Sequence, residues 1–378
     1  MIYRYIQLPE LVQKKTTMLF GPRSTGKSFW IKQQLSDCVY IDLLKAVDRR
    51  RFIANPSTLE EVVRGAPGRL VVIDEIQLIP ELLDEVHRLI ENTQTTFLLT
   101  GSSARKLKRS GANMLGGRAR QARLHPLCWW ELKQANRFDL HRYLQWGGIP
   151  RIYLSDEPLE EMSDYVDAYL EHEIKAEAVS RNISGFERFF QRVALLSGEE
   201  VNYSKIASDA QLSGPTVRQY IEVLEDTLLC FFLTPWQGSK RKAVQRAKFY
   251  LFDIGVTHFL AQIASLPTQS NLFGRAFESF IVQEIVALCS YKRKRANLHF
   301  WRTQTREEVD LIIGEDFAIE IKSTETTTRK DCRNLVKLLE EGFSGRRIVV
   351  SRDTLERTID GIEMMHYEVF LEMMWTQY

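Results

Sequence analysis

The chain is poor in cysteine. Its five, Cys38, Cys128, Cys230, Cys289 and Cys332, are odd in number and widely scattered, which excludes a disulfide framework. None belongs to a CxxC pair, so a zinc site is not expected, and reduced thiols in a cytoplasmic protein are. No apolar run approaches the roughly 18 residues that a membrane-spanning helix needs. The N-terminus, MIYRYIQLPELVQKK, has no apolar core of the kind a secretory signal carries. No membrane partner is expected. Internal repeats and low-complexity linkers are missing as well. The composition, 44% hydrophobic and 26% charged, excludes a disordered, collagen-like or fibrous chain. At roughly 100–200 residues per domain, 378 residues suggest two or three domains.

The net charge of +2 says little, but its distribution says more. Arg105, Lys106, Lys108, Arg109, Arg118, Arg120 and Arg123 fall within 101–130 with no acid among them. Lys240, Arg241, Lys242, Arg246 and Lys248 fall within 233–252, again without an acid. The stretch 285–306 adds Lys292, Arg293, Lys294, Arg295, Arg302 and Arg306. Such stretches in a nearly neutral chain point to a polyanion such as DNA, or to solvated surface charge.

The first 130 residues alternate short apolar runs, at 16–20, 38–43, 69–74, 96–101 and 122–127, with helical spacing such as that over 82–92. That order predicts an α/β fold with a parallel sheet. The first run leads into Gly21-Pro22-Arg23-Ser24-Thr25-Gly26-Lys27-Ser28, a GxxxxGK[ST] loop ahead of a helix. Its backbone N–H groups can wrap phosphates, Lys27 can reach the β- and γ-phosphates of ATP, and the Ser28 hydroxyl can ligate Mg²⁺. The run RLVVIDE ends in Asp74 and Glu75. On an extended chain these acids point to opposite sides, Asp74 toward the Mg²⁺ shell and Glu75 toward an attacking water. Ser102 and Ser103 close the next run, placed for a γ-phosphate or that water. Arg118 reads equally as an arginine finger or as a surface or DNA arginine.

GPRSTGKS, VVIDEIQLIPELL and LLTGSSARKL, then GGRA and a strand ending in HPL, resemble the AAA-type ATPase domain of a large bacterial and archaeal family. WGGIPRIYL, YLEHEI, KFYLFDIG and GRAFESFIVQEI resemble that family's C-terminal half, with Glu173 standing where Asp is commoner. Residues 203–230 look like a winged helix-turn-helix. Ser213 would be the N-cap, Val217, Ile221, Leu224 and Leu228 the apolar face, and Thr216, Arg218, Gln219 and Glu222 the exposed face. Lys240, Arg241 and Lys242 would lie in the wing, against DNA phosphates. Protein docking or a purely structural role remains the alternative.

In EEVDLIIGEDFAIEIKS (307–323), a three-residue loop at 314–316 pairs Val309 with Ile321, Leu311 with Ile319, Ile313 with Phe317, Ile312 with Ala318 and Glu308 with Lys322. It also sets Asp310 against Glu320, a like-charged pair that should be unstable without a cation such as Mg²⁺ between them. Asp310, Glu320 and Lys322 fit the D…ExK core of the PD-(D/E)xK nuclease fold, and Glu278 matches its additional helix acid. The resemblance implies two acids on Mg²⁺ and a lysine at the attacking water; the alternative is an ion-pair network left in an inactive fold.

The expected architecture is an AAA-type P-loop domain (1–130), a helical and winged-helix region (131–247) and a nuclease-like α/β domain (248–378). The expected activity is a Mg²⁺-dependent ATPase acting on branched or broken DNA, with a metal-dependent nuclease. Homo-oligomers are compatible with it. The competing expectation is a nucleotide-driven switch or assembly protein that binds DNA or protein without cutting.

Overall fold

The computed structural model describes residues 2–103, 105, 107, 115–167, 183–238, 246–294 and 296–378. The chain divides into two compact units, Met1–Leu127 with Glu222–Leu229, and Cys128–Ile221 with Cys230–Tyr378.

The first unit is built on five strands: β1 (Thr17–Phe20), β2 (Cys38–Asp42), β3 (Leu70–Asp74), β4 (Phe97–Gly101) and β5 (Arg120–Arg123). They lie in the order β2-β3-β4-β1-β5, every neighbour parallel. Strands β3 and β4 are apolar on successive residues because helices cover both faces of a parallel sheet. The helix Leu82–Asn92 buries Leu82, Leu83, Val86 and Leu89, the helical spacing read from the sequence. These residues pack with Met18, Val71, Ile73, Phe97 and Leu99 in one core. The fifth strand is earlier than the apolar run at 122–127 suggests. β5 is an edge strand, exposed at alternate residues. The Leu124 N–H still donates to Phe20 O (2.8 Å), but Pro126 has no N–H to continue the ladder. Buried Arg4 takes the His125 carbonyl instead, at 2.5 Å.

The second unit begins with helices Trp129–Gln134, Leu140–Trp146, Pro150–Tyr153, Pro158–Tyr165 and Ile183–Leu195. Then come β6 (Glu199–Glu200), helices Tyr203–Ala210 and Gly214–Asp226 (the latter counted with the first unit from Glu222 on), β7 (Cys230–Pro235), β8 (Lys248–Leu251) and helices Ile254–Leu260 and Asn271–Tyr291. The chain closes with β9 (Leu298–Arg302), β10 (Glu308–Ile313), β11 (Phe317–Ile321), helix Arg333–Glu340, β12 (Arg346–Ser351), β13 (Arg357–Ile359), β14 (Ile362–His366) and helix Tyr367–Gln377. The described strands form one sheet in the order β13-β14-β12-β11-β10-β9-β7-β8-β6. Ser213 caps its helix as expected, accepting the Thr216 N–H at 3.2 Å. Val217, Ile221 and Leu224 are buried, but the helix stops at Asp226, and Leu228 sits past its end with a φ of 62°.

The β10–β11 register holds for Leu311–Ile319, Ile312–Ala318 and Ile313–Phe317 and goes no further. Strand β10 bulges against β9 between Val309 and Ile312, which puts both residues in the core under helix Arg333–Glu340. The expected cross-strand pairs at Glu308, Val309 and Asp310 are therefore replaced. The Asp310 carboxylate accepts the Ile321 N–H at 2.7 Å.

Among the described residues no helix is long and apolar enough to cross a membrane. A different buried acid, Glu284 on helix Asn271–Tyr291, accepts the Trp129 N–H at 2.6 Å. Burial pushes its carboxyl up to about 8 from the usual 4.5. In that pH window the folded state binds more protons than the unfolded chain, so this group's contribution to stability falls as pH rises. Glu284→Gln should match the wild type in urea denaturation near pH 5 and exceed it at pH 9. Parallel stability curves across that range would contradict the assignment.

Candidate functional site

The loop between β1 and helix Lys27–Gln34 is shaped by its glycines. A Cβ on Gly21 would stand 2.4 Å from the Leu124 carbonyl oxygen, so only glycine fits there. Gly26 adopts φ 90°, in the left-handed region. Thr25 Oγ1 donates to Pro22 O (2.8 Å), and Arg4 donates to Thr25 O (2.6 Å). Lys27 is buried, its Nζ donating to Gly21 O (2.7 Å) and Pro22 O (3.0 Å).

Asp74, at the end of β3, is met by three hydroxyls. Ser28 Oγ donates to Oδ2 at 2.6 Å, Tyr40 OH donates to the same oxygen, and Thr100 Oγ1 donates to Oδ1. Burial, then the neighbouring Asp74 carboxylate, push the Tyr40 phenol well above its usual range. The two adjacent acids are separated by more than strand pleating. Glu75 lies past the strand end at φ 63°, a left-handed conformation costing on the order of 1–3 kcal/mol for a non-glycine residue. Its N–H donates to Thr100 Oγ1 (3.3 Å), and its carboxylate accepts from Gln77 Nε2, which also reaches Ser102 Oγ (3.1 Å). Burial raises the Glu75 carboxyl above its ordinary value, while Lys27 and Gln77 oppose that shift.

The second cluster lies in the other unit. Asp310 and Glu320 are both buried, and Lys322 Nζ donates to Glu320 Oε1 at 2.7 Å. Glu320 Oε2 is buried with no hydrogen-bond partner among the described residues. Burial raises both carboxyls; the Glu320 charge pushes Asp310 further, while Lys322 opposes the shift in Glu320. Glu278 Oε1 accepts from Lys248 Nζ and Tyr250 OH, each at 3.1 Å. Asp310, Glu278 and Lys322 line a cavity of about 720 Å³ that also takes in Arg275 and Arg352. Among the described residues no group of three or more His, Cys, Asp or Glu is disposed to hold a metal ion.

Residues 13–133 match the model of a family described as an AAA domain. That match and the P-loop geometry support a nucleotide-dependent ATPase. Residues 137–267 and 273–370 match two domains of unknown function, DUF8612 and DUF4143. An uncharacterized protein of Mycobacterium tuberculosis is 28% identical over 82% of this chain and 70% of its own length. One of Methanocaldococcus jannaschii is 24% identical over 81% and 74%, and one of Haemophilus influenzae 23% identical over 97% of each chain. A solved structure of the Aeropyrum pernix ORC1 protein in complex with DNA aligns with 66% of this chain and 87% of its own at 13% identity. Its TM-score of 0.26 carries no argument about fold or partner.

Lys27, Ser28, Asp74, Glu75 and Ser102 are thus brought together, with Gly21, Arg23, Ser24, Thr25 and Gly26 in the loop. Arg118 is placed elsewhere, its guanidinium 2.5 Å from Glu91. Thr216, Arg218 and Gln219 lie on helix Gly214–Asp226, Arg218 exposed over the Tyr203 ring. Lys240, Arg241, Lys242 and Glu173 lie outside the described residues. The basic stretches are less uniform than their sequence suggests. Arg105 and Lys248 are buried, and Arg302 pairs with Glu200 at 3.0 Å. Tyr40, Gln77 and Thr100 were not singled out from sequence, although IDEIQ does place Gln77 two residues after Glu75. Gln77→Ala should leave nucleotide affinity within about twofold and slow ATP hydrolysis by about ten- to a hundredfold, as Glu75 loses its orienting donor. Unchanged turnover with unchanged affinity would remove Gln77 from the site.

Proposed function

We propose that the chain is a Mg²⁺-dependent ATPase acting on DNA, branched or broken DNA in particular, with a metal-dependent nuclease site in its second unit. In the first unit the loop N–H groups from Gly21 to Ser28, with the Arg23 side chain, hold the phosphates, and Lys27 turns from its loop carbonyls to the β- and γ-phosphates. Ser28 and Asp74 would hold Mg²⁺. Glu75, whose carboxylate is made more basic by burial, accepts the proton of the attacking water, and Ser102 contacts the γ-phosphate. Arg118 reaches a γ-phosphate only where its pair with Glu91 opens, as a neighbouring copy in an oligomer would require.

The nuclease reading rests on one observation above all: Asp310 lines a large cavity beside Lys322, and buried Glu320, whose charge raises the Asp310 carboxyl, keeps one oxygen without a hydrogen-bond partner among the described residues. These hard oxygen donors fit Mg²⁺, which keeps much of its own water and so needs few protein ligands. Asp310 and Glu320 would hold the ion, which supplies Lewis acidity at a phosphodiester; Lys322 orients the attacking water and Glu278 flanks it. For DNA, the Ser213-capped helix followed by the antiparallel β7–β8 pair supports a winged helix, with Thr216, Arg218 and Gln219 toward the duplex and Lys240, Arg241 and Lys242 along phosphates. The functional division proposed is 1–130, 131–247 and 248–378.

A second reading, a nucleotide-driven switch or assembly protein that binds without cutting, is favoured by the ion pairs that Lys248 and Lys322 already make within the acidic cluster. One experiment separates the two: the full chain incubated with a panel of DNA forms, with and without ATP and Mg²⁺ or Mn²⁺. Lys27→Ala should lose hydrolysis and most nucleotide affinity, whereas Glu75→Gln should keep ATP bound and hydrolyse it about a hundredfold more slowly. Asp310→Ala should end cleavage and leave ATP hydrolysis intact. Failure of the wild type to cut any form would exclude the nuclease and leave the switch; wild-type turnover in Lys27→Ala would overturn the ATPase assignment.

A further inference from the structure

Glu278, Glu308, Asp310 and Glu320 interact through space as one acidic cluster; in one half Asp310 accepts the Ile321 N–H and Glu320 Oε1 accepts Lys322, leaving Glu320 Oε2 without a hydrogen-bond partner among the described residues. The other half is closed by a residue outside the D…ExK pattern. Lys248 enters from β8, is 2% exposed, and sets its ammonium 3.1 Å from Glu278 Oε1 and 2.5 Å from Glu308 Oε1. Phe300 lies under the same ammonium, 5.4 Å from ring centre to Nζ. Lysines are almost never this buried unless paired. Burial disfavours its charge, but Glu278, Tyr250, Glu308 and Asp310 more than offset that and hold Lys248 charged.

Two further donors belong to the half that Lys248 closes. Tyr250 OH also donates to Glu278 Oε1, and Arg302 Nε lies 3.4 Å from Glu308 Oε2. Glu320 Oε2, in contrast, is buried without a hydrogen-bond partner among the described residues. A cation bridging oxygens of two carboxylates is what a second divalent ion would be in a two-metal phosphodiesterase site. We infer that Lys248 occupies the position of that second ion, so that the site takes a single divalent cation, at Asp310 and Glu320. This rests on the metal reading proposed above. It also makes Glu278 a partner of Lys248 first, and not a metal ligand.

Mn²⁺ binding to the full, nucleotide-free chain, counted by loss of the free-ion electron paramagnetic resonance signal, tests this without reference to activity. The wild type should bind one more Mn²⁺ than Asp310→Asn. Lys248→Met, similar in length but uncharged, should bind one more than the wild type, and its melting midpoint should fall in EDTA and recover on adding Mn²⁺. Folding of Lys248→Met only with Mn²⁺ present is the same result in stronger form. Equal Mn²⁺ counts in Lys248→Met and the wild type would overturn the inference. So would failure of Lys248→Met to fold with or without Mn²⁺ while Lys248→Arg folds, because no metal then replaces the ammonium. If the wild type and Asp310→Asn bind equal numbers, the metal site itself is absent and the role of Lys248 falls with it.

Discussion

A buried carboxylate must be met by a cation or by hydrogen-bond donors, and an acidic cluster in each unit of this chain answers that requirement. In the first unit Asp74 ends β3 and takes three hydroxyl donors, from Ser28, Tyr40 and Thr100. Hydrogen bonds to a charged group are worth roughly 1.5–3 kcal/mol each, so these set the positions of three neighbouring segments. Ser28 belongs to the P-loop helix, Tyr40 to β2 and Thr100 to β4, which the sheet order places around β3. The same contacts fix Glu75, whose N–H is held by Thr100 across a left-handed turn.

The second unit meets the requirement with ammonium groups and a backbone N–H. Asp310 takes the Ile321 N–H, Glu320 takes Lys322, and Glu278 and Glu308 share Lys248. Hydroxyls can rotate away from Asp74 when a better cation arrives. The ammonium of Lys248, held between two carboxylates in a buried setting, cannot be displaced so cheaply. The two clusters therefore differ in what meets their carboxylates, and in the second Glu320 Oε2 is left without a hydrogen-bond partner among the described residues.

Much of this was legible in the sequence because it depends on local rules. The P-loop needs its glycines and Lys27 within eight residues, and the helix over 82–92 follows from spacing alone. The hairpin register near Gly314 follows from turn length and alternation, and Ser213 from its capping chemistry. What was not legible depends on distant partners. Tyr40 and Thr100 meet Asp74 only because β2 and β4 flank β3. Lys248 reads as one more cation in a basic stretch until β8 carries it into the acidic cluster. Alternation also failed at Val309 and Asp310, where a bulge inserted one residue and turned the like-charged pair out of the ladder. β5 began early because an edge strand tolerates half-buried Arg120 and exposed Arg123, which an apolar-run search passes over.

The most direct measurement is thermal unfolding of the full chain at about pH 8 in EDTA, comparing the wild type with Asp310→Asn. Burial and Glu320 raise the Asp310 carboxyl, so charging it in the folded state opposes folding. An amide keeps the acceptor for Ile321 N–H and removes that charge. Asp310→Asn should therefore melt higher than the wild type in EDTA and lose most of the rise that Mg²⁺ gives the wild type. A lower midpoint in EDTA, or an undiminished Mg²⁺ effect in the variant, would show that Asp310 is a structural acid and that no cation is required beside it.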